Sequence, residues 1–373
     1  MNKFNGIFIF LILMAGICFS CRGNPDKNRV DFESIRQELE SGKPISREEP
    51  FSIRNFVPYL QQRWIGFAVS YGCYRRGQAP GVKGPSEREI LEDLRIVSRY
   101  WNMIRVYGSD EDSERILKVI RQYSIPVKVM LGVWLENETD HPEHKPANIK
   151  QVMKAIQLGN QYSDIICAVN VGNETQVFWS FHRMNMDNLI RYVRAVRNHV
   201  PVPVTVADDY NFWNKPESKR VTPEIDFIVT HIYPLWNGKT LDEAIPWMDK
   251  TVREIQSLHP GKTIVLGETG WATTYNPDKK GPGEQGSLIK GEVSFRAQER
   301  FLLKLHQWVY KHKIPTFLFE AFDEPWKGGG DLSGPTEIEK HWGVFFEDRT
   351  PKPSFKNYLK KIRQFSESER EEL

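Results

Sequence analysis

From Trp64 onward, short apolar runs alternate with longer stretches whose apolar residues recur every three or four positions. Eight runs follow one another: Ile65–Tyr71, Met103–Tyr107, Val127–Trp134, Ile165–Val171, Val202–Ala207, Phe227–Tyr233, Thr263–Gly267 and Thr316–Phe322. Between them, helical periodicity marks Glu87–Tyr100, Glu111–Tyr123, Ile149–Gln161, Met186–Asn198, Leu241–Ser257 and Glu292–Lys311. The third run is almost wholly apolar, as strands covered on both faces tend to be. Pro126 and Pro315 stand immediately before two runs, where a missing backbone N–H is tolerated. Strand and helix in alternation predict a parallel sheet, and eight strands suit a closed barrel better than an open one. No glycine-rich phosphate turn follows the first run, which weighs against a dinucleotide-binding sheet. The expected fold is therefore α/β, a (β/α)8 TIM barrel spanning residues 61–360.

The ends read differently. Lys3 followed by the apolar segment Ile7 to Ile17 has the charge and length of an export signal and is too short to span a bilayer. It closes on Ser20-Cys21, which resembles a bacterial lipoprotein cleavage site. Residues 1–21 are thus expected to be a signal peptide, with Cys21 the lipidated first residue of an exported, membrane-anchored protein. Ordinary cleavage giving a secreted product is the alternative. Residues 22–60 are polar and charged and are expected to form a tether containing one short helix, Phe32 to Glu40. Residues 361–373 are expected to be a charged tail.

Composition narrows the chemistry. A net charge of +3 supplies no basic face, so no nucleic-acid partner is expected. Eleven Trp and thirteen Tyr are more than a core usually takes, and flat rings suit the faces of sugars. Cys73 and Cys167 make no disulfide framework and fall at opposite ends of their runs. The patch Asp140-His141-Pro142-Glu143-His144 has ligand-type residues in no recognised metal spacing, so neither metal nor cofactor is expected. The protein is expected to be a monomer.

In a barrel, reactive groups stand at the C-terminal ends of strands. The fourth run ends in Val171-Gly172-Asn173-Glu174, and the seventh in Leu266-Gly267-Glu268-Thr269-Gly270-Trp271. Two carboxylates facing one mouth repel each other, raising one pKa and dividing their roles into acid and base or nucleophile. Glycosidic cleavage uses such a division. A helix-capping or salt-bridging role remains open for either glutamate singly and less so for both.

An Asn-Glu pair on strand four and a Glu on strand seven resemble the layout of retaining barrel glycosidases. More narrowly, the chain resembles glycoside hydrolase family 17, the β-1,3-glucanases and their transglycosylase relatives. The matching segments, in order, are Ile65–Gly72, Ile104–Tyr107, Val171–Glu174, His231-Ile232-Tyr233-Pro234, Gly267–Trp271 and Phe319–Lys327. The resemblance implies Glu174 as acid/base, Glu268 as nucleophile, Asn173 as partner of the sugar 2-hydroxyl and Tyr233 as donor to the nucleophile. It implies Glu324 and Lys327 as a charged pair beside the cleft. Strand one departs from the family pattern at Ala68-Val69-Ser70. Trp134, Trp213, Trp236, Trp271 and Trp326 follow strand ends and are candidate stacking surfaces; Arg105, Tyr107 and Asp209 are candidate hydroxyl partners.

These readings converge on endo-acting hydrolysis of β-1,3-glucan by double displacement, with the β-glucan as partner and the membrane reached only through a lipid. Two alternatives carry forward: transfer of the same glycosyl group to another glucan, and a non-catalytic surface protein that binds glycans.

Overall fold

The computed structural model describes residues 30–276, 288–328 and 337–371, with side chains to residue 364. The expected signal peptide and Cys21 lie outside the described residues. Eight parallel strands close into a barrel: β1 Phe67–Ser70, β2 Met103–Val106, β3 Lys128–Val133, β4 Ile166–Asn173, β5 Val204–Asp209, β6 Phe227–His231, β7 Ile264–Thr269 and β8 Thr316–Leu318. Closure is made by β8 lying beside β1, with Phe317 opposite Ala68. Every strand sends an apolar side chain inward: Ala68, Met103, Met130, Ala168, Ala207, Val229, Val265 and Phe317 fill the interior. A barrel of this size is packed by its side chains rather than hollow.

The surrounding helices are α1 Phe32–Ser41, α2 Glu87–Val97, α3 Glu111–Gln122, α4 Lys145–Gln161, α5 Met186–His199, α6 Tyr210–Trp213, α7 Leu241–Leu258, α8 Phe295–His312 and α9 Pro353–Glu371. Their starts are chemically marked. The Ser86 hydroxyl accepts from Glu89 N while the Glu89 carboxylate accepts from Ser86 N at 2.8 Å, a reciprocal cap. Asp110 accepts from Ser113 N at 2.9 Å at the start of α3. Between β5 and β6 no full helix forms. Pro216 and Pro223 divide that segment into the four-residue α6 and two tight 3-10 turns, Pro216–Arg220 and Thr222–Glu224.

The segment expected to be a tether is, from Phe32 on, part of the folded unit. Ile35, Leu39, Ile45 and Phe56 are buried. Phe56 stacks on Phe227 at 4.7 Å between ring centroids and so joins the barrel interior. Three arginines one helical turn apart on α5 satisfy this segment's carbonyls: Arg191 donates to Leu39 O at 3.1 Å, Arg194 to Ile45 O at 2.9 Å and Arg197 to Ser52 O at 2.5 Å. Buried backbone needs such partners. The segment's polar composition concealed its few, widely spaced apolar contacts. At the other end, the expected tail continues α9 as far as Glu371. Phe355, in the first turn of α9, stacks on Trp101 at 5.4 Å, and Lys361 pairs with Glu299 at 2.6 Å. Cys73 and Cys167 are free thiols. Among the described residues, no helix is long and apolar enough to cross a membrane.

Candidate active site

At the barrel mouth the backbone of β4 turns sharply. Its register against β5 shifts between Asn170 and Asn173. Gly172 has φ of +79°, and Glu174 follows with φ of +53°. Glycine takes such a conformation freely, but glutamate does so at a cost, and strain of this kind persists where the surroundings hold it. Across the barrel, Gly267 leaves room for His231: a Cβ at 267 would stand 2.4 Å from Val229 Cγ1 and 3.1 Å from two atoms of the His231 ring.

Arg105 on β2 organises the pair. It is buried and donates from Nη1 to Glu268 Oε1 and from Nη2 to Asn173 Oδ1, both at 2.6 Å. Its guanidinium lies 4.5 Å from the centre of the Tyr107 ring. Tyr233 donates its hydroxyl to Glu268 Oε2 at 2.7 Å, and Phe319 and Trp342 meet its ring edge-on. Each oxygen of Glu268 therefore has a donor. His231 lies between the two glutamates, with Nδ1 3.2 Å from Glu174 Oε1 and Nε2 3.6 Å from Glu268 Oε1.

These contacts separate the two acids. Burial, and then the charge of Glu268, push the Glu174 carboxyl up to about 8. Burial alone would also raise Glu268. The neighbouring His231 and Arg105, with the hydrogen bonds from Tyr233 and Arg105, outweigh it and hold Glu268 at about 2. His231 is itself pushed below its ordinary value by burial, so near neutral pH it carries no charge. The standing positive charge beside Glu268 is that of Arg105. Near neutral pH the mouth therefore holds a protonated carboxyl beside an ionised one.

Beyond β8, Lys327 Nζ lies 2.8 Å from Glu320 Oε2 and 2.6 Å from Glu324 Oε2. Burial raises Glu320 well above the ordinary carboxyl range. Burial pushes Glu324 the same way, but Lys327 and the hydrogen bonds to Glu324 bring it below. The triad thus sets one raised and one lowered carboxyl group against a single ammonium. Trp326 donates to Glu324 Oε1 at 2.9 Å. A groove of about 2070 Å³ runs from Glu324 and Lys327 past Tyr107, Asn173 and Glu268 to Trp134, and on along α3 and α4 to Phe32 and Glu40 of α1. Pockets for small molecules reach about 1,000 Å³, so the groove has room for several linked rings.

A model of the BtgE/BtgC glycoside hydrolase domain matches residues 68–343, the stretch that carries every side chain of this mouth. The chain belongs to the BtgE/BtgC glycoside hydrolase family. A putative glucan endo-1,3-β-glucosidase of Aspergillus niger is 28% identical over 291 residues, covering 73% of this chain and 40% of that protein. A glucan 1,3-β-glucosidase of Schizosaccharomyces pombe is 27% identical over 281 residues, covering 71% of this chain and 79% of that one. The chain thus spans about 40% of the length of the Aspergillus relative. Two solved structures share the fold. An endo-laminarinase from Formosa has a TM-score of 0.68 at 23% identity, covering 79% of this chain and 86% of that one. A family 17 β-1,3-glucanosyltransferase from Rhizomucor miehei has a TM-score of 0.60 at 23% identity, covering 78% and 96%.

In this BtgE/BtgC domain, the structure brings together Glu174, Glu268, Asn173, Tyr233, Arg105 and Tyr107, with Trp134, Trp326, Glu324 and Lys327 along the groove. It does not place Trp271 there. That ring is 1% exposed, packs on Phe301 at 5.3 Å and donates to Glu292 O, so it supports the barrel wall instead of meeting a substrate. Trp213 is likewise buried and donates to Val229 O, and Asp209 caps α6 by accepting from Asn211 N at 2.8 Å. Sequence reading assigned no role to His231 or Glu320. Strand alternation marks His231, since it lies two residues before Tyr233 and so shares its face. Nothing comparable marks Glu320, whose neighbourhood is set by the return of Lys327 seven residues later.

Proposed function

We propose that this chain cleaves β-1,3-glucan by endo attack with retention of configuration. The observation that carries the chemistry is the division between Glu174, held protonated up to about 8, and Glu268, held ionised down to about 2. In the first step a Glu268 oxygen attacks the anomeric carbon, the glycosidic C–O bond breaks, and the Glu174 proton passes to the departing oxygen. In the second, Glu174 takes a proton from water, the water oxygen bonds to the anomeric carbon, and Glu268 leaves. Asn173, whose oxygen is committed to Arg105, retains its amide N–H groups for the sugar 2-hydroxyl. The substrate class rests on the glucan glucosidases among its relatives and on a groove long enough for a chain.

The test is incubation with linear β-1,3-glucan, sizing the products over time and following the first-formed anomer by NMR. Internal cleavage giving the β-anomer first is expected; the α-anomer first would overturn retention. The divided carboxylates speak against a purely binding role, since a lectin has no use for a protonated acid. We further propose export with a lipid on Cys21. Mass spectrometry of the mature N-terminus tests it, and a mature chain starting at Arg22 or later would refute it.

A further inference from the structure

The loop between β4 and α5 begins directly after Glu174 and ends in a cluster of aromatic residues. Phe178 is 65% exposed and Phe181 84%, with Trp179 also at the surface between them. Single apolar residues at a surface are ordinary, but three exposed aromatic residues within four positions call for a partner.

The base of this loop is firmly held. Its neck is closed by Met184 N donating to Thr175 O at 3.0 Å and by the Gln176 side-chain amide donating to Met184 O at 3.1 Å. Beneath it, the fully buried Asp208 accepts from Gln176 N at 2.8 Å and from Val177 N at 3.1 Å. One flank is clamped as well: His182 Nδ1 lies 2.8 Å from Glu136 Oε2, whose other oxygen accepts from Trp134 Nε1 at 2.7 Å. The His182 ring meets Trp134 edge-on at 4.6 Å, and Trp134 lines the groove. The aromatic tip is thus presented on a fixed support, continuous with the groove.

Its position selects the occupant. Glu174 serves the leaving oxygen and the aromatic loop starts directly after it, whereas Glu324 and Lys327 line the groove together with Glu268, which attacks the anomeric carbon. The sugars beyond the scissile bond then run over the loop that starts at Glu174. Sugar rings present C–H faces that pack against aromatic faces. We propose that Phe178, Trp179 and Phe181 form an acceptor platform, on which the β-glucan stretch on the leaving-group side lies. This rests on the β-1,3-glucan reading above. The platform also favours transfer over hydrolysis: a glucan hydroxyl held there attacks the anomeric carbon, its proton goes to Glu174, and the bond to Glu268 breaks.

The test compares laminarihexaose with an aryl β-laminaribioside, whose leaving group carries no sugar, using the full chain. In Phe178→Ala/Phe181→Ala, the ratio of kcat/KM for the hexaose to that for the aryl substrate falls ~10-fold, mainly through KM, and transfer products give way to hydrolysis. Phe178→Tyr/Phe181→Tyr, which keeps both rings, retains the wild-type ratio. A ratio unaffected by alanine, or an equal loss on both substrates, overturns the platform. So does an unaffected ratio accompanied by loss of self-association in sedimentation, which would make the patch an interface between copies. Wild-type protein inactive on both substrates would sink the β-1,3-glucan reading itself.

Discussion

Arg105→Met removes the positive end of a buried ion pair while roughly keeping its volume. The two side chains are 1% and 8% exposed and meet at 2.6 Å. Removing one partner of such a pair costs about 3–5 kcal/mol, because the other charge is left buried and uncompensated. The net depression of Glu268 from 4.5 to about 2, made by His231, Arg105 and Tyr233 together against burial, corresponds to roughly 3 kcal/mol at about 1.4 kcal/mol per unit. The sign follows from linkage. With a folded-state value below the unfolded one, Glu268 contributes stability that is full above 4.5 and lost as pH falls through about 2. Without Arg105, burial is opposed only by His231 and the Tyr233 hydrogen bond, so the folded value of Glu268 rises and this contribution shrinks. The wild-type advantage in urea unfolding should therefore grow as pH rises from 3 to 7. The acid limb of the pH–kcat/KM profile should move upward by roughly 1–3 units. Arg105→Lys keeps a charge but cannot bridge Glu268 and Asn173 together, so its acid limb should stay low while kcat falls. A stability difference independent of pH, with an acid limb that does not move, would show that Arg105 is not what keeps Glu268 ionised.

Glu174→Gln should cut turnover on polymer by ~10²–10⁴ and much less on a substrate with an activated aryl leaving group, and should abolish the alkaline limb near pH 8; steady-state rates across pH report both. Tyr233→Phe removes a single hydrogen bond to a charged acceptor, at a cost of about 1.5–3 kcal/mol. Its kcat should fall roughly 10- to 100-fold and its thermal midpoint by a few degrees, and an unaltered kcat would remove Tyr233 from the machinery. Phe56→Ala should destabilise the barrel by about 3–5 kcal/mol in urea while leaving KM alone, and a wild-type midpoint would return the segment before β1 to the status of a linker.

The barrel was legible because its signal is repetitive: each strand lies on an expected run, and the helices follow the expected periods to within a few residues. The differences are instructive. Strands β4, β5 and β7 each extend two residues beyond their apolar run, into Gly172-Asn173, Asp208-Asp209 and Glu268-Thr269. The polar ends of those strands are where the chemistry lies, and hydrophobicity alone ends the strand too soon. Glu174 and Glu268 were visible as carboxylates where a strand should stop. The environment that separates them was less visible, because Arg105, His231 and Tyr233 come from distant strands and meet only once the barrel closes. The tryptophans were ambiguous for a related reason. Trp271 and Trp326 both follow strand ends, yet only the backbone path decides that one ring faces Phe301 and the other the groove.

The wrapping of residues 32–60 beneath the barrel bears on how the protein is produced. Homology alone draws the domain from residue 68 to residue 343, and a gene fragment cut to those limits would look complete by family standards. It would lack the Phe56 ring that covers Phe227 and the carbonyls that receive Arg191, Arg194 and Arg197. It would also lose α9, with the Phe355 ring that covers Trp101. Every residue of the mouth would be present, on a barrel without its Phe56 cover and with three arginines that keep Glu138, Glu224 and Asp226 but lose the carbonyls they meet here. Expression trials should start no later than Phe32 and retain α9. An inactive or insoluble shorter fragment would reflect a missing floor and say nothing about the carboxylates.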